Sequence, residues 1–170
     1  MPRPDRIPEA ALSDQPQYPF QYAKYEVDRQ AKIATVTLSN PKKRNAAPFW
    51  GEDQLLAAID AWEKDDDVKV VIIKGEGEHF CGGHDLESYF DGFGVRSKTS
   101  AELPNRHKLR MERNLREIWR RLFFSLKPTI AQVSGQCIEL GNTFQVCCDI
   151  SIAAEDANIG NLGQVAGIAG

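Results

Sequence analysis

Lys69-Val-Val-Ile-Ile-Lys-Gly-Glu-Gly-Glu-His-Phe-Cys-Gly-Gly-His-Asp-Leu86 is the stretch from which the rest of the chain can be read. Val70 to Ile73 is an unbroken β-branched run between two lysines. With Gly75 and Gly77 after it, the run predicts a fully buried strand that ends in a turn. Behind the strand comes a glycine-rich loop, Phe80 to Leu86. Gly82 and Gly83 let the backbone approach a ligand closely and leave the following amides free to donate. Free N–H groups on a rigid strand make a candidate anion or oxyanion site. The same spacing also fits an ordinary strand-to-helix turn in which Asp85 caps a helix from Leu86.

Upstream, Lys24 to Asp28 and Lys32 to Leu38 read as a hairpin, with Ile33, Thr35 and Thr37 alternating with Ala34, Val36 and Leu38. Ser39-Asn40-Pro41 stops the second strand. Pro48 then opens a helix to about Lys64, on which Leu55, Ile59 and Trp62 share a face. Strand, helix, strand predicts a right-handed crossover and hence parallel pairing. Downstream, Asp91 to Pro104 reads as a mobile loop beside the site. Asn105 to Leu126 reads as a long amphipathic helix, with Leu115, Ile118, Trp119, Leu122, Phe123 and Leu126 at helical spacing and arginines between them. Thr129 to Val133 is a second strand leading to glycine, here through Ser134-Gly135 to Glu139-Leu140-Gly141. A helix from Asn142 to Cys148 and a strand from Ile150 to Ala154 follow.

Residues 1–22 contain five of the nine prolines and no hydrophobic period, so they predict an extended, disordered arm, leaving residues 23–170 as one core. The 170 residues are 42% hydrophobic and 26% charged, ordinary for a soluble globular domain, and the net charge of −3 argues against general nucleic-acid binding. Four cysteines, two of them adjacent, suit buried thiols better than disulfides and match no zinc spacing with the three histidines. Without an apolar leader or an 18-residue apolar run, the expectation is a cytoplasmic protein with no membrane partner and no metal. The ending at Gly170, within an apolar Gly/Ala stretch, reads as that of a fragment.

Four blocks, Asn40 to Ala46, Phe80 to Leu86, Lys127 to Gly135 and Cys148 to Ala153, give the chain its likeness. In order and spacing over roughly residues 24–170 it resembles the crotonase superfamily of enoyl-CoA hydratases, isomerases and relatives. The resemblance implies an α/β fold, a ββα spiral core with parallel strands flanked by helices, whose closing C-terminal helices are missing here. It also implies an acyl-CoA thioester as substrate, coenzyme A entering as part of that substrate and not as a separate cofactor, and a homotrimer or hexamer.

By the same resemblance the thioester oxygen sits between two backbone amides, which match His84 and, counting back from Cys148-Asp149, Leu140. Gly82, Gly83, Asp85, Leu86, Ala46 and Gly141 surround that position. Lys43 and Arg44 are candidates for the phosphates of the CoA nucleotide. Two departures stand out. The second turn reads Glu139-Leu140-Gly141 where hydratases carry three glycines. The two hydratase glutamates fall on Thr143 and Gly163, neither of which transfers a proton at neutral pH. Ordinary two-glutamate hydration is therefore not expected, and His84, Glu139, Glu87 and Asp91 are the alternative proton carriers. Asp149 reads as a structural strand-edge residue.

Three functions follow. The first is an acyl-CoA-processing enzyme that stabilises a thioester enolate. The second is a crotonase-fold C–C hydrolase or retro-aldol lyase acting on a cyclic or aromatic acyl group. The third is an inactive paralogue that keeps fold and CoA binding.

Overall fold

A computed structural model describes residues 21–92 and 105–162. The expected N-terminal arm therefore lies almost entirely outside the described residues, as do most of the loop expected before residue 105, Gly163 and the final glycine-rich stretch. So does the side chain of Asp91.

Seven strands and four α-helices are seen among the described residues. β1 (Ala23–Asp28) and β2 (Ile33–Leu38) form the expected hairpin, pairing antiparallel from Ala23 with Leu38 to Asp28 with Ile33. α1 (Gly51–Lys64) crosses over to β3 (Val70–Gly75), which lies parallel to β2. α2 (Leu86–Gly92) and α3 (Asn105–Phe123) lead to β4 (Thr129–Val133), parallel to β3. Then come β5 (Gln136–Ile138), α4 (Leu140–Cys147), β6 (Ile150–Ala153) and β7 (Asn158–Gly160). The main sheet runs β1-β2-β3-β4-β6, and β5 pairs with β7 in a second, smaller parallel sheet.

The core follows the alternation of the strands. Ala34, Val36 and Leu38 of β2, Val71 and Ile73 of β3, and Ala131 and Val133 of β4 are buried. Leu55, Ala58, Ile59 and Trp62 of α1 join them, with Ile118 and Leu122 of α3. Trp62 is 1% exposed, and truncating such an aromatic anchor to alanine costs about 3–5 kcal/mol. β3 is less buried than its unbroken apolar run predicts, since Val70 and Ile72 are only half covered.

Other boundaries also shift. α1 starts at Gly51 and not at Pro48, because Ala47 is held extended against the glycine-rich loop and the chain cannot begin to coil until it is clear of that contact. β5 and β7 are three residues each, too short to show a period.

Candidate active site

Two turns meet above the β3 and β4 strand ends. In the first, the segment Gly83 to Asp85 lies beside Ala47 like a fragment of parallel strand. The Ala47 N–H donates to Gly83 O at 2.8 Å, and the Asp85 N–H donates to Ala47 O at 2.8 Å. Those two bonds face Ala47, so the N–H of the residue between them, His84, is turned to the other side. It has no acceptor among the described residues, whereas the neighbouring Gly82 N–H donates to Arg44 O at 2.8 Å.

Asn45 pins this arrangement from below. It is fully buried in the left-handed conformation (φ 57°), and its side-chain amide donates to Glu76 O and His79 O and accepts from the Asn40 N–H. Ala46, buried beside it, donates its N–H to Lys43 O.

The second turn is built differently. Glu139 adopts φ 54° and ψ −112°, conformations that a side chain rarely occupies, and the reversal starts α4 at Leu140. The helix was expected to begin at Asn142. Starting two residues earlier makes Leu140 the first helical residue, whose N–H has no intrahelical partner. None of the described residues accepts from it, although the Glu139 N–H donates to Gly160 O at 3.0 Å. Leu140 and Gly141 are buried. The Thr143 hydroxyl donates back to Glu139 O within the helix at 3.2 Å, so it is directed into the helix and not outward.

The two turns touch. The Cys81 N–H donates to Gln136 O and the Ile138 N–H to Cys81 O, stitching the first loop to β5. A Cβ at Gly141 would lie 2.5 Å from Cys81 O, and one at Gly83 would lie 3.2 Å from Glu139 Cβ with φ at +99°. Only glycine permits that approach at either position. Burial pushes the Cys81 thiol up to about 11, so this loop cysteine offers no thiolate nucleophile.

Charged residues around the loop are paired among themselves. Lys43 Nζ lies 2.8–2.9 Å from both Asp85 carboxylate oxygens and 2.9 Å from Glu87 Oε2. Its hydrogen bond to Asp85 is the main cause of an ammonium pKa above the ordinary lysine value. Lys43 and Glu87, expected at a phosphate and as a proton carrier, are thus neutralised by each other and by Asp85 in this state. Asp85 also accepts the Ser88 N–H at 3.4 Å, so it caps α2 as expected. Leu86 is 64% exposed. Arg44, left-handed at φ 54°, reaches Gln136 Oε1 with one guanidinium nitrogen at 3.0 Å. Asp149 is structural: its Oδ2 accepts both the N–H and the hydroxyl of Thr129 at 2.8 Å, clamping the start of β4 to that of β6.

One group escapes the sequence reading. The His84 imidazole packs edge-on to Tyr89 of α2, ring centroids 5.2 Å apart, and its Nε2 lies 3.7 Å from Glu52 Oε1 of α1. Glu52 is 2% exposed and accepts the Tyr89 hydroxyl. A signal was present, since Glu52 falls on the same helical stripe as Leu55, Ile59 and Trp62, where a carboxylate is out of place. Among the described residues no cluster of three or more His, Cys, Asp or Glu side chains is arranged to hold a metal, and no helix is long and apolar enough to cross a membrane.

A sheet of mainly parallel strands flanked by helices defines a mixed α/β class of protein, and comparison with known families agrees. The enoyl-CoA hydratase/isomerase family model matches residues 28–169. The chain belongs to that family. It is 34% identical to a Mycobacterium tuberculosis protein named as an enoyl-CoA hydratase, over 81% of this chain and 46% of that one. It is 31% identical to the hydroxycinnamoyl-CoA hydratase-lyase of Pseudomonas fluorescens, over 84% and 50%. The crystal structure of an enoyl-CoA hydratase/isomerase from Xanthobacter autotrophicus superimposes with a TM-score of 0.71 at 30% identity, covering 82% of this chain and 48% of that one. The chain spans about half the length of the curated relatives it matches.

Proposed function

We propose that the protein processes an acyl-CoA thioester by stabilising its enolate oxygen between the N–H groups of His84 and Leu140. The observation that carries this reading is that both amides lack acceptors among the described residues while Gly82, Asp85 and Glu139 beside them are all engaged. Two fixed donors of this kind are worth a great deal to a forming oxyanion, the loss of one costing about 3–4 kcal/mol in comparable sites. Arg44, with most of its donors facing solvent, is the better of the two basic candidates for the CoA phosphates; Lys43 would first have to leave Asp85 and Glu87. The reading includes a cytoplasmic trimer or hexamer.

Two-glutamate hydration is not part of the proposal, because Thr143 turns its hydroxyl into α4. The relationship to a hydroxycinnamoyl-CoA hydratase-lyase favours a second reading within the same site, a lyase or hydrolase acting on an aromatic acyl group. Mixing the protein with acetoacetyl-CoA tests the shared step. Growth of the enolate absorption on binding is expected, and tight binding without it overturns the reading. Crotonyl-CoA and hydroxycinnamoyl-CoA then separate the two chemistries, fast hydration of the former refuting the inference from Thr143.

A further inference from the structure

Glu52 sits where a carboxylate is costly. It occupies the first turn of α1 at 2% exposure, and the only cationic or potentially cationic group within 4 Å among the described residues is His84. The positive end of the helix offsets part of that cost. Across from it, Nε2 of His84 is also buried and has no hydrogen-bond partner among the described residues, a deficit worth about 1–3 kcal/mol. Tyr89 holds the pair in register, its hydroxyl donating to Glu52 and its ring against the imidazole. Of the other titratable groups nearby, Tyr22 and Cys81 are held in their protonated forms chiefly by burial and bring no charge, while Asp85 and Glu87 are paired with Lys43. One event relieves both deficits: a proton arriving on the imidazole gives an ion pair in which Nε2–H closes the 3.7 Å gap to Glu52.

We propose that Glu52 is the positioning residue that makes the His84 side chain the proton acceptor of this site, the role for which Thr143 has no titratable group. In the step, the neutral imidazole carries its one proton on Nε2, towards Glu52, and the lone pair of Nδ1 takes the α-proton of the bound thioester. The C–H electron pair becomes the enolate, whose oxygen rests on the amides of His84 and Leu140, and the imidazolium is neutralised by Glu52 through Nε2–H. Return of the proton to carbon restores neutral His84. Tyr89 fixes the carboxylate. The assignment rests on the enolate reading above and extends it to an α1 residue that the family motifs do not include.

Two measurements on the same protein test it: butyryl-CoA affinity by calorimetry, and uptake of deuterium at the α-carbon of butyryl-CoA in heavy water by NMR. Glu52→Gln keeps the volume and an acceptor for Tyr89 but loses the charge. Exchange is expected to fall on the order of 10²-fold, with affinity unchanged to within about twofold. His84→Ala is expected to lose as much, and the double variant no more than either single one, as for residues that act as a unit. Glu52→Asp should recover part of the rate. If Glu52→Gln fails to fold, Tyr89→Phe carries the test, with a loss on the order of tenfold expected from misorienting the carboxylate. Undiminished exchange in these variants overturns the assignment and leaves the enolate reading standing. No binding or no exchange in the unsubstituted protein overturns both.

Discussion

The two turns offer the same thing, a main-chain N–H with no acceptor among the described residues, by opposite means. The first holds His84 in extended backbone, tied on one side to Ala47 and supported by the buried Asn45. Nothing in it is strained at the donor itself. The second forces Glu139 into a conformation suited to glycine and exposes the first amide of a helix, so its donor comes from an orphan helix end and an unfavourable backbone. The difference teaches that a donor position is specified by what its neighbours bond to and not by its own residue type. A branched leucine can therefore present its N–H where a glycine would, provided the residue before it can turn.

The strongest way to break the equivalence is to push the turns apart. Gly141→Ala would set a Cβ 2.5 Å from Cys81 O. It should destabilise by about 1–3 kcal/mol and reduce enolate formation on the order of 10²-fold or more, read by thermal melts and acetoacetyl-CoA absorbance. A full-strength enolate signal in that variant would show that the two amides do not share one oxygen.

Next in size is Asn45→Ala, which removes the support of the first turn alone. Loss of three partly buried hydrogen bonds and a left-handed alanine should cost about 3 kcal/mol by chemical denaturation. Protection of the amides at Gly82 and Asp85 against hydrogen exchange should fall more than that at Glu139. Equal loss at both turns would mean that they form one cooperative unit.

Glu139→Gly sharpens the comparison in the other direction. It relieves the backbone strain of the second turn and should raise stability by about 1 kcal/mol while leaving acetoacetyl-CoA enolate formation intact. Loss of that signal would assign the Glu139 side chain itself to the chemistry.

The smallest effect concerns the Asp149 clamp beneath the second turn. The hydrogen bond from the Thr129 N–H is the first cause of a carboxyl pKa below the ordinary aspartate value. Such a group contributes stability that is complete above its unfolded value, about pH 4, and is lost as pH falls through the lowered folded value. Asp149→Asn should therefore lower stability modestly near pH 7, where the charged carboxylate contributes in full, and flatten the acid limb so that the two stability–pH profiles converge at low pH. A profile identical to that of the unsubstituted protein would remove the clamp from the account.

Much of this was legible in the chain. Val70 to Ile73, the alternation from Ile33 to Leu38, and the Leu55, Ile59, Trp62 stripe each announce an element through its own period, and strand–helix–strand order implies parallel pairing. The glycine-rich loop marked the place of the first donor, because glycine is a residue-level sign of close backbone approach. The second donor was reached only by counting against the family pattern. Its early helix start depends on the Glu139 backbone, which residue identity does not encode.

The amino-acid order alone thus specifies the longer elements, their apolar faces and the two turns at the strand ends, since short-range sterics and hydrophobic periodicity act within a few residues, but not the three-residue strands β5 and β7. Only the tertiary structure decided that Glu52, His84 and Tyr89 share one buried contact, that Lys43 faces Asp85 and Glu87, and that β5 pairs with β7. Periodicity says which face of an element is buried; it does not say which other face, dozens of residues away, will cover it.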